Sequence, residues 1–243
     1  MSTLKSEVLL QPQEIFASST TQGATLGQLA TTGDGRYYRY FLNGGVATVA
    51  GTVQQGPAQD ATNLSPAGGL TPAAAAIGAT SVTISSSTTN LVSILQGGYM
   101  SVAITPGQGY TYQVLDNTAT SGATGMVVTL ADPLQIALTT SSRVVFLKNP
   151  YANTVQGATT LTAAPVGVAV VATPIANYGW LQVRGPAACL VTGTLGSAGL
   201  AVGMLVGGTA GSLAPCIAGT NVLGYTMSIC ATTEYDMVYL TIS

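Results

Sequence analysis

Carboxyl groups are the main side chains in this sequence that could act as general acids or bases, because the chain contains no histidine. The acidic residues are scattered, at positions 7, 14, 34, 60, 116, 132, 234 and 236. Asp116 and Asp132 would form the paired carboxylates of a glycoside hydrolase only if the fold brought them together. Asp116-Asn117 and Asp132-Pro133 are both typical of turns. We therefore expect no catalytic carboxylate pair.

Nucleophilic and metal-binding arrangements are also missing from the sequence. Without histidine there is no Ser-His or Cys-His pair, and Cys189, Cys216 and Cys230 are widely spaced with no CxxC motif. We interpret the cysteines as small buried apolar residues, with one disulfide plus a free thiol as the alternative. "TEYD" (233–236) offers two carboxylates to Ca²⁺, too few for a site by themselves. The sequence predicts a protein that is not an enzyme and that uses no metal or cofactor.

The densest group of charged and aromatic residues is "DGRYYRYFLNGG", residues 34–45. Asp34-Gly35 predicts a turn, 36–42 a strand, and Asn43-Gly44 a type I′ hairpin with "VATVAGTV" as the returning strand. Alternation assigns Arg36, Tyr38, Tyr40 and Leu42 to one face of the strand, and Tyr37, Arg39 and Phe41 to the other. Aromatic rings with arginine heads at an edge suit a protein interface. They equally suit a strand whose tyrosines cover the domain's own core.

A second strand of this kind is predicted in "NYGWLQVRG", residues 177–185. Alternation places Trp180 on one face with Tyr178, Gln182 and Arg184, and turns Leu181 and Val183 towards a core. An outward tryptophan beside tyrosine and arginine is typical of an interface hot spot. The alternative is that Trp180 fills the end of its own barrel. The candidate interface residues are Arg36, Tyr37, Tyr38, Arg39, Tyr40, Phe41, Tyr178, Trp180 and Arg184.

Charged residues are rare along the whole chain. There are six basic and eight acidic residues among 243, whereas about 25% of the residues of an ordinary soluble domain are charged. Such a surface is either kept soluble by Ser, Thr, Asn and Gln or covered by neighbours in an assembly. Six scattered basic residues form no stripe that could neutralise phosphates, so we expect no nucleic-acid binding.

The mean hydropathy of the chain is positive, +0.45, and the uncharged segment 187–208 has the length of a membrane span. Its many glycines and the lack of a flanking Lys/Arg cluster argue against a span, and we interpret it as short strands separated by turns. At the start of the chain, Glu7, Gln11, Pro12 and Glu14 lie where a signal peptide would be apolar. We expect no association with a membrane. We expect the protein to be made in a cytoplasm.

Two-residue alternation is the dominant pattern, and helical periodicity is almost absent. It occurs in "SVTIS", "YMSVAIT", "GMVVTLAD", "RVVFLKN" and "DMVYLTIS". Strands with one apolar face and one Thr/Ser face belong to antiparallel sheets whose outer face is solvated or docked. The sequence predicts an all-β protein in which antiparallel strands form two small β-barrel or sandwich units, with an extended N-terminal arm.

Composition divides the chain into three segments. We predict that residues 1–30 form the arm, residues 31–157 a first β domain, and residues 158–243 a C-terminal β-barrel or sandwich domain. The first domain contains a low-complexity stretch at 65–80. That stretch predicts either a linker or one short helix with Thr71 as its N-cap.

Four segments in order resemble structural proteins of tailed-bacteriophage heads. "GDGRYYRYFLNGGVATVAGTVQQ" (33–55) resembles their opening, which has a Gly-Arg-aromatic-Arg-Tyr strand, a small-residue turn and an Ala/Gly-rich return strand. "GQGYTYQVLDNT" (107–118), "DPLQIAL" (132–138) and "VGVAVVATPIANYGWLQVRGPA" (166–187) are similar to later blocks. The resemblance implies a virion protein of the capsid decoration, or cement, type, which binds outside the major capsid shell and stabilises it.

The resemblance and the low charge together indicate the partners. We expect the major capsid protein as partner and a homo-oligomer, because closed symmetric oligomers are the norm. A trimer is the first expectation, because the threefold sites of a capsid favour it. The protein would lie on the capsid surface of the virion after assembly in the host cytoplasm, with its arm reaching a neighbouring molecule. The alternatives are a tail, baseplate or host-binding virion protein, and a carbohydrate-binding or adhesion β-module.

Overall fold

The computed structural model describes residues 8–85, 90–120, 125–159, 162–204, 208–217 and 221–242. The protein is all-β, and a 3₁₀ turn at Glu14–Phe16 is the helical element of the described residues. The strands are β1 (Val8–Leu9), β2 (Leu29–Thr31), β3 (Tyr37–Leu42), β4 (Val53–Gln55), β5 (Ser81–Ile84), β6 (Tyr99–Ile104), β7 (Thr111–Asn117), β8 (Met126–Leu130), β9 (Arg143–Leu147), β10 (Val155–Gln156), β11 (Pro165–Ala169), β12 (Tyr178–Leu190), β13 (Ala201–Gly203), β14 (Ala214–Pro215), β15 (Gly224–Thr226) and β16 (Tyr235–Thr241).

The strand ladders agree with the prediction from alternation. They are antiparallel, with the exception of the short parallel pair β1–β2. The sheets are sandwich-like, and the ladders of the described strands do not close into a barrel. No helix in the described part of the chain is long and apolar enough to cross a membrane. Within the segment 187–208, residues 187–190 belong to β12 and residues 201–203 form β13.

The chain forms two compact units. The discontinuous unit consists of Met1–Pro57 and Pro150–Ser243, and the inserted unit consists of Ala58–Asn149. This division differs from the segments predicted with boundaries at residues 30 and 157. The reason is that β4 pairs with both β10 and β11, so the chain on either side of the insertion contributes to one sheet.

The discontinuous unit is organised around β12, its longest strand. The first half of β12 pairs with β3 and with β11, and the second half pairs with β16. The sheet continues from β16 through β15 and β13 to β14. In β16, Val238 and Leu240 are buried while Met237 and Tyr239 are exposed, as the alternation predicted. The pattern of this strand is therefore confirmed.

The predicted hairpin at Asn43-Gly44 is wrong. β3 pairs with β2 and β12, and no ladder joins it to the predicted returning strand, residues 46–53. The Asn43 amide Nδ2 instead donates hydrogen bonds to the carbonyl oxygens of Val46 and Thr173. A Cβ on Gly44 would lie 2.5 Å from the Asn153 Cα, so Gly44 allows two backbone segments to approach closely. Both residues serve long-range contacts rather than a two-residue turn.

The described part of the N-terminal segment follows an extended path and packs within the discontinuous unit. Ile15 and Ala30 are buried in a cluster with Tyr38 and Trp180. Ser19 forms an antiparallel bridge with Tyr178, and their backbone groups exchange hydrogen bonds of 3.0 and 2.8 Å. These residues therefore cover the core of their own chain. The first seven residues of the predicted arm lie outside the described residues.

The inserted unit is a five-stranded sheet in the order β5-β8-β7-β6-β9, with its own buried cluster. The low-complexity stretch 65–80 forms neither the predicted helix nor a free linker. Leu70 bridges to Val144 on β9, and Pro72 bridges to Ile84 on β5. The stretch thus hydrogen-bonds along both edge strands, which would otherwise expose unpaired backbone groups.

Candidate interaction surfaces

Four of the nine predicted interface residues lie in the interior of the discontinuous unit. They are Tyr38, Tyr40, Phe41 and Trp180. The Tyr40 ring stacks on Tyr178 at 5.8 Å and meets Trp180 edge-on at 4.9 Å. The backbone N–H of Gly23 donates to the Tyr40 hydroxyl at 2.8 Å. Tyr38, Tyr40 and Trp180 share one buried cluster, and Phe41 lies in another, which matches the core alternative for both strands.

The arginine that begins the aromatic stretch is held by its own neighbours. Arg36 forms an ion pair with Asp34 at 2.8 Å, and its guanidinium lies 5.9 Å from the centre of the Tyr38 ring. The Thr32 hydroxyl donates to Asp34 and lowers the pKa of that carboxyl, and Arg36 adds to this effect. Burial raises the pKa of the Tyr38 hydroxyl. Arg36 and Asp34 therefore form a locally neutral pair.

The other two arginines of the set also face tyrosine rings. Arg39 donates to the Gly27 carbonyl oxygen at 2.8 Å and lies 5.9 Å from the Tyr151 ring centre. Arg184, the most exposed of the set, lies 5.7 Å from the ring centre of Tyr37. The structure joins the two predicted strands because β3 pairs with β12, with Tyr40 opposite Trp180. The sequence did not predict this pairing.

An exposed apolar surface lies elsewhere in the same unit, on β15 and β16. Its residues are Tyr225, Met227, Tyr235, Met237 and Tyr239, all exposed, and we call them the apolar face. Tyr225 lies opposite Tyr239, and the Met227 N–H donates to the Met237 carbonyl oxygen at 2.8 Å. The face is thus continuous across the two strands. The signal for it was present in "DMVYLTIS", where Met237 and Tyr239 occupy the face otherwise expected to hold threonine and serine.

A groove of about 690 Å³ adjoins this face, and we call it the apolar groove. Phe16 and Val49 are exposed residues of its lining, and we call them the groove rim, while Tyr235 and Met237 belong both to the groove and to the apolar face. The loop at Gly51 has a φ of +78°, and a Cβ there would lie 2.6 Å from the Tyr235 ring. Glycine therefore allows the ring to lie close against the loop.

The outer face of the inserted unit's sheet carries small polar and apolar side chains. We call it the threonine face: Ser81, Thr83, Tyr99, Thr111, Gln113, Val127, Thr129 and Leu147, all exposed. Tyr99 lies between Gln113 and Leu147 in the ladder. Asp116, which pairs with Thr129, adds one carboxylate. Asp116 is part of β7, so the predicted turn at Asp116-Asn117 is wrong, and Asp132 lies in the bend after β8.

The remaining carboxylates considered for metal binding point to different environments. Glu234 is exposed and accepts a hydrogen bond from the Ala231 N–H at 2.9 Å. Asp236 is buried and accepts from the Ser228 hydroxyl and from the Met237 N–H. Across the described ranges, no three His, Cys, Asp or Glu side chains gather in a group that could hold a metal ion.

The three cysteines are free thiols in the structure. Cys189 and Cys230 are buried, which confirms that they act as apolar residues, while Cys216 is half-buried. Burial raises the pKa of the Cys189 thiol to about 12, and the Asp236 carboxylate contributes to the shift. Burial, with Asp236, also raises the pKa of Cys230.

We expect the thiols to differ in their reaction with Ellman's reagent at pH 8. A thiol with a pKa of about 12 is a thiolate in roughly one molecule in ten thousand at that pH, and only the thiolate reacts. Cys216 should react first, and Cys189 should react only after unfolding in urea. The Cys216→Ser variant should lose the fast phase. Reaction of native Cys189 at the rate of Cys216 would contradict the buried position.

The geometry thus offers two exposed surfaces with few charges, one on each compact unit, and no assembled catalytic group among the described residues. Comparison with family models, with curated proteins and with solved structures finds no match to this chain.

Proposed function

We propose that this protein is a non-enzymatic structural component of a phage virion, of the capsid decoration or cement type. It binds the outside of the major capsid shell and stabilises it. The proposal is supported by the four blocks that resemble phage head proteins and by the low charge of the chain. Both are properties of the sequence, and the structure adds an independent argument.

The observation that carries the proposal is the presence of two separate surfaces suited to partners. A cement protein must contact more than one molecule at the same time. The apolar face with its groove lies on the discontinuous unit, and the threonine face lies on the inserted unit. Contacts that are weak one at a time become strong when they are made together on a repeating shell. A protein that binds only the assembled shell stabilises it by mass action.

The threonine face is the surface that we assign to the shell. Its exposed Thr, Ser and Gln side chains, together with Tyr99 and Leu147, can hydrogen-bond and pack at once, as the rim and core of a non-obligate interface do. The outer side of this sheet carries one carboxylate, Asp116, and one guanidinium, Arg143, which already donates to the Thr140 and Ser142 carbonyl oxygens. Contact with a large neighbour therefore requires desolvation of few charges.

Quantitative mass spectrometry of purified virus particles tests the proposal. We expect the copy number of this chain to be comparable to that of the major capsid protein. A handful of copies per particle would instead indicate a tail, baseplate or host-binding protein. Absence from the particles would overturn the virion assignment and favour the adhesion module.

The same measurement identifies the surface that contacts the shell. Particles assembled with the Tyr99→Lys variant should contain at least tenfold fewer copies, because a lysine there would be buried without a partner. Tyr110→Lys is the matched control, since Tyr110 is equally exposed (40% against 41%) but lies before β7 and outside the threonine face. The assignment would be contradicted if the copy number in particles fell equally for both variants or fell for neither.

A further inference from the structure

The apolar face and the apolar groove together have the extent of a protein interface. Five exposed side chains on the face, with Phe16 and Val49 on the groove rim, are each about half exposed. At on the order of 100 Å² each, seven such side chains present roughly 700 Å², close to one side of a standard interface and above the largest patch of a typical monomer. A surface of this size is expected to be covered in the working protein.

The shape of this surface offers both halves of a contact on one molecule. Tyr225 on β15 and Tyr239 on β16 lie opposite each other with exposed rings, and we call this pair the ridge. The adjoining groove has a floor of small side chains, including Val168, Ala169 and Ala187. Met237 belongs both to the groove and to the apolar face that carries the ridge, so the ridge and the groove are parts of one continuous surface. A second copy therefore presents a ridge of apolar side chains to the groove of the first.

Charge also favours a second copy over a charged partner. The charged residues that line the groove are Asp34 and Arg36, and they are already paired with each other at 2.8 Å. None of the five residues of the apolar face is charged. A strongly acidic or basic partner would find no opposite charge to neutralise it here, whereas the uncharged ridge of another copy matches a neutral groove.

We propose that two copies of this chain associate through this surface, with the Tyr225–Tyr239 ridge of each copy inserted into the apolar groove of the other. This inference rests on the proposed function, because it names the contact that joins the copies bound to the shell. The threonine face lies on the inserted unit and contributes no residue to this contact. Made reciprocally about a two-fold axis, this contact lets both copies bury the whole surface at once, as its area requires.

Light scattering coupled to size exclusion tests the contact on the full chain at micromolar concentration. We expect the wild type to have a mass of at least twice the 24.3 kDa of one chain. Tyr239→Lys on the ridge and Val49→Lys on the groove rim should each raise the dissociation constant at least tenfold and give the monomer mass. Tyr110→Lys is the matched control, because Tyr110 and Tyr239 have similar exposure (40% and 38%). It should keep the wild-type mass.

Circular dichroism and thermal melting of each variant separate loss of the contact from unfolding. Val49 lies in a loop outside the strands, so its variant should keep the native spectrum even if Tyr239→Lys disturbs β16. A monomeric wild type at 100 µM would overturn the inference, as would an unchanged oligomer mass in both folded variants. If these variants dissociated but the wild-type chain was absent from purified particles, this inference would stand and the proposed function would be overturned. High copy number, with unchanged oligomers in both variants, would overturn this inference alone.

Discussion

Replacing Trp180 by alanine is expected to lower the free energy of unfolding of the discontinuous unit by about 3–5 kcal/mol. Trp180 is only 8% exposed, and it packs in one cluster with Tyr38, Tyr40 and Ile15. The cavity left by the indole cannot close easily, because pairing between β3 and β12 holds Trp180 opposite Tyr40. Removal of a large buried side chain then costs both the lost burial and the empty volume.

Urea unfolding followed by circular dichroism measures this loss, since the variant has no tryptophan fluorescence. Tyr178→Ala is the control on the same strand, two residues away, and it should cost less than half as much because Tyr178 is half-buried. A cost below about 1 kcal/mol for Trp180→Ala, typical of exposed positions, would show that the indole is not part of the core.

The buried position of Trp180 also shows where alternation stops being informative. Alternation reports a buried side only when the opposite side of the strand is exposed. In β16 one side faces solvent, and the predicted faces of Val238 and Met237 agree with the structure. In β12, consecutive residues from Gly179 to Val183 are buried, so both sides of the strand are covered. Alternation could not decide whether Trp180 pointed inwards or outwards.

The candidate surface was missed for a related reason. Aromatic residues near arginines drew attention to β3 and to the start of β12, but those arginines lie over rings within the same chain. The rings that remain exposed, such as Tyr225 and Tyr239, have no arginine near them in the sequence. The groove gathers Phe16, Val49 and Met237 from distant parts of the sequence. Only the sheet pairing brings them together.

Sheet pairing also explains why the domain boundaries could not be predicted. Composition changes along the chain, but the contacts of β4 with β10 and β11 cross an insertion of a complete folded unit. Nothing in the composition near residue 57 or residue 150 marks the two ends of that insertion as neighbours. In the structure they are neighbours, since a Cβ on Gly56 would lie 3.1 Å from the Pro150 carbonyl oxygen.

A chain in which residues 58–149 are replaced by a short Gly-Ser linker is therefore expected to fold. The ends to be joined are already adjacent, so the linker closes a small gap at little entropic cost. The described members of the buried clusters in the discontinuous unit all come from residues before 58 or after 149. Trp180 fluorescence should report a cooperative urea transition, because the only tryptophan of the chain lies in this unit.

The matched comparison is the segment 158–243 alone, which composition suggested as a domain. It contains β12 and β11 but lacks β3 and β4, their partners in the sheet. It also lacks Tyr38, Tyr40 and Ile15, so Trp180 would lose the side chains that bury it. We expect this segment to show no cooperative transition. If it folded and the excised chain did not, the core would be organised by the C-terminal segment alone and the two-unit division would be wrong.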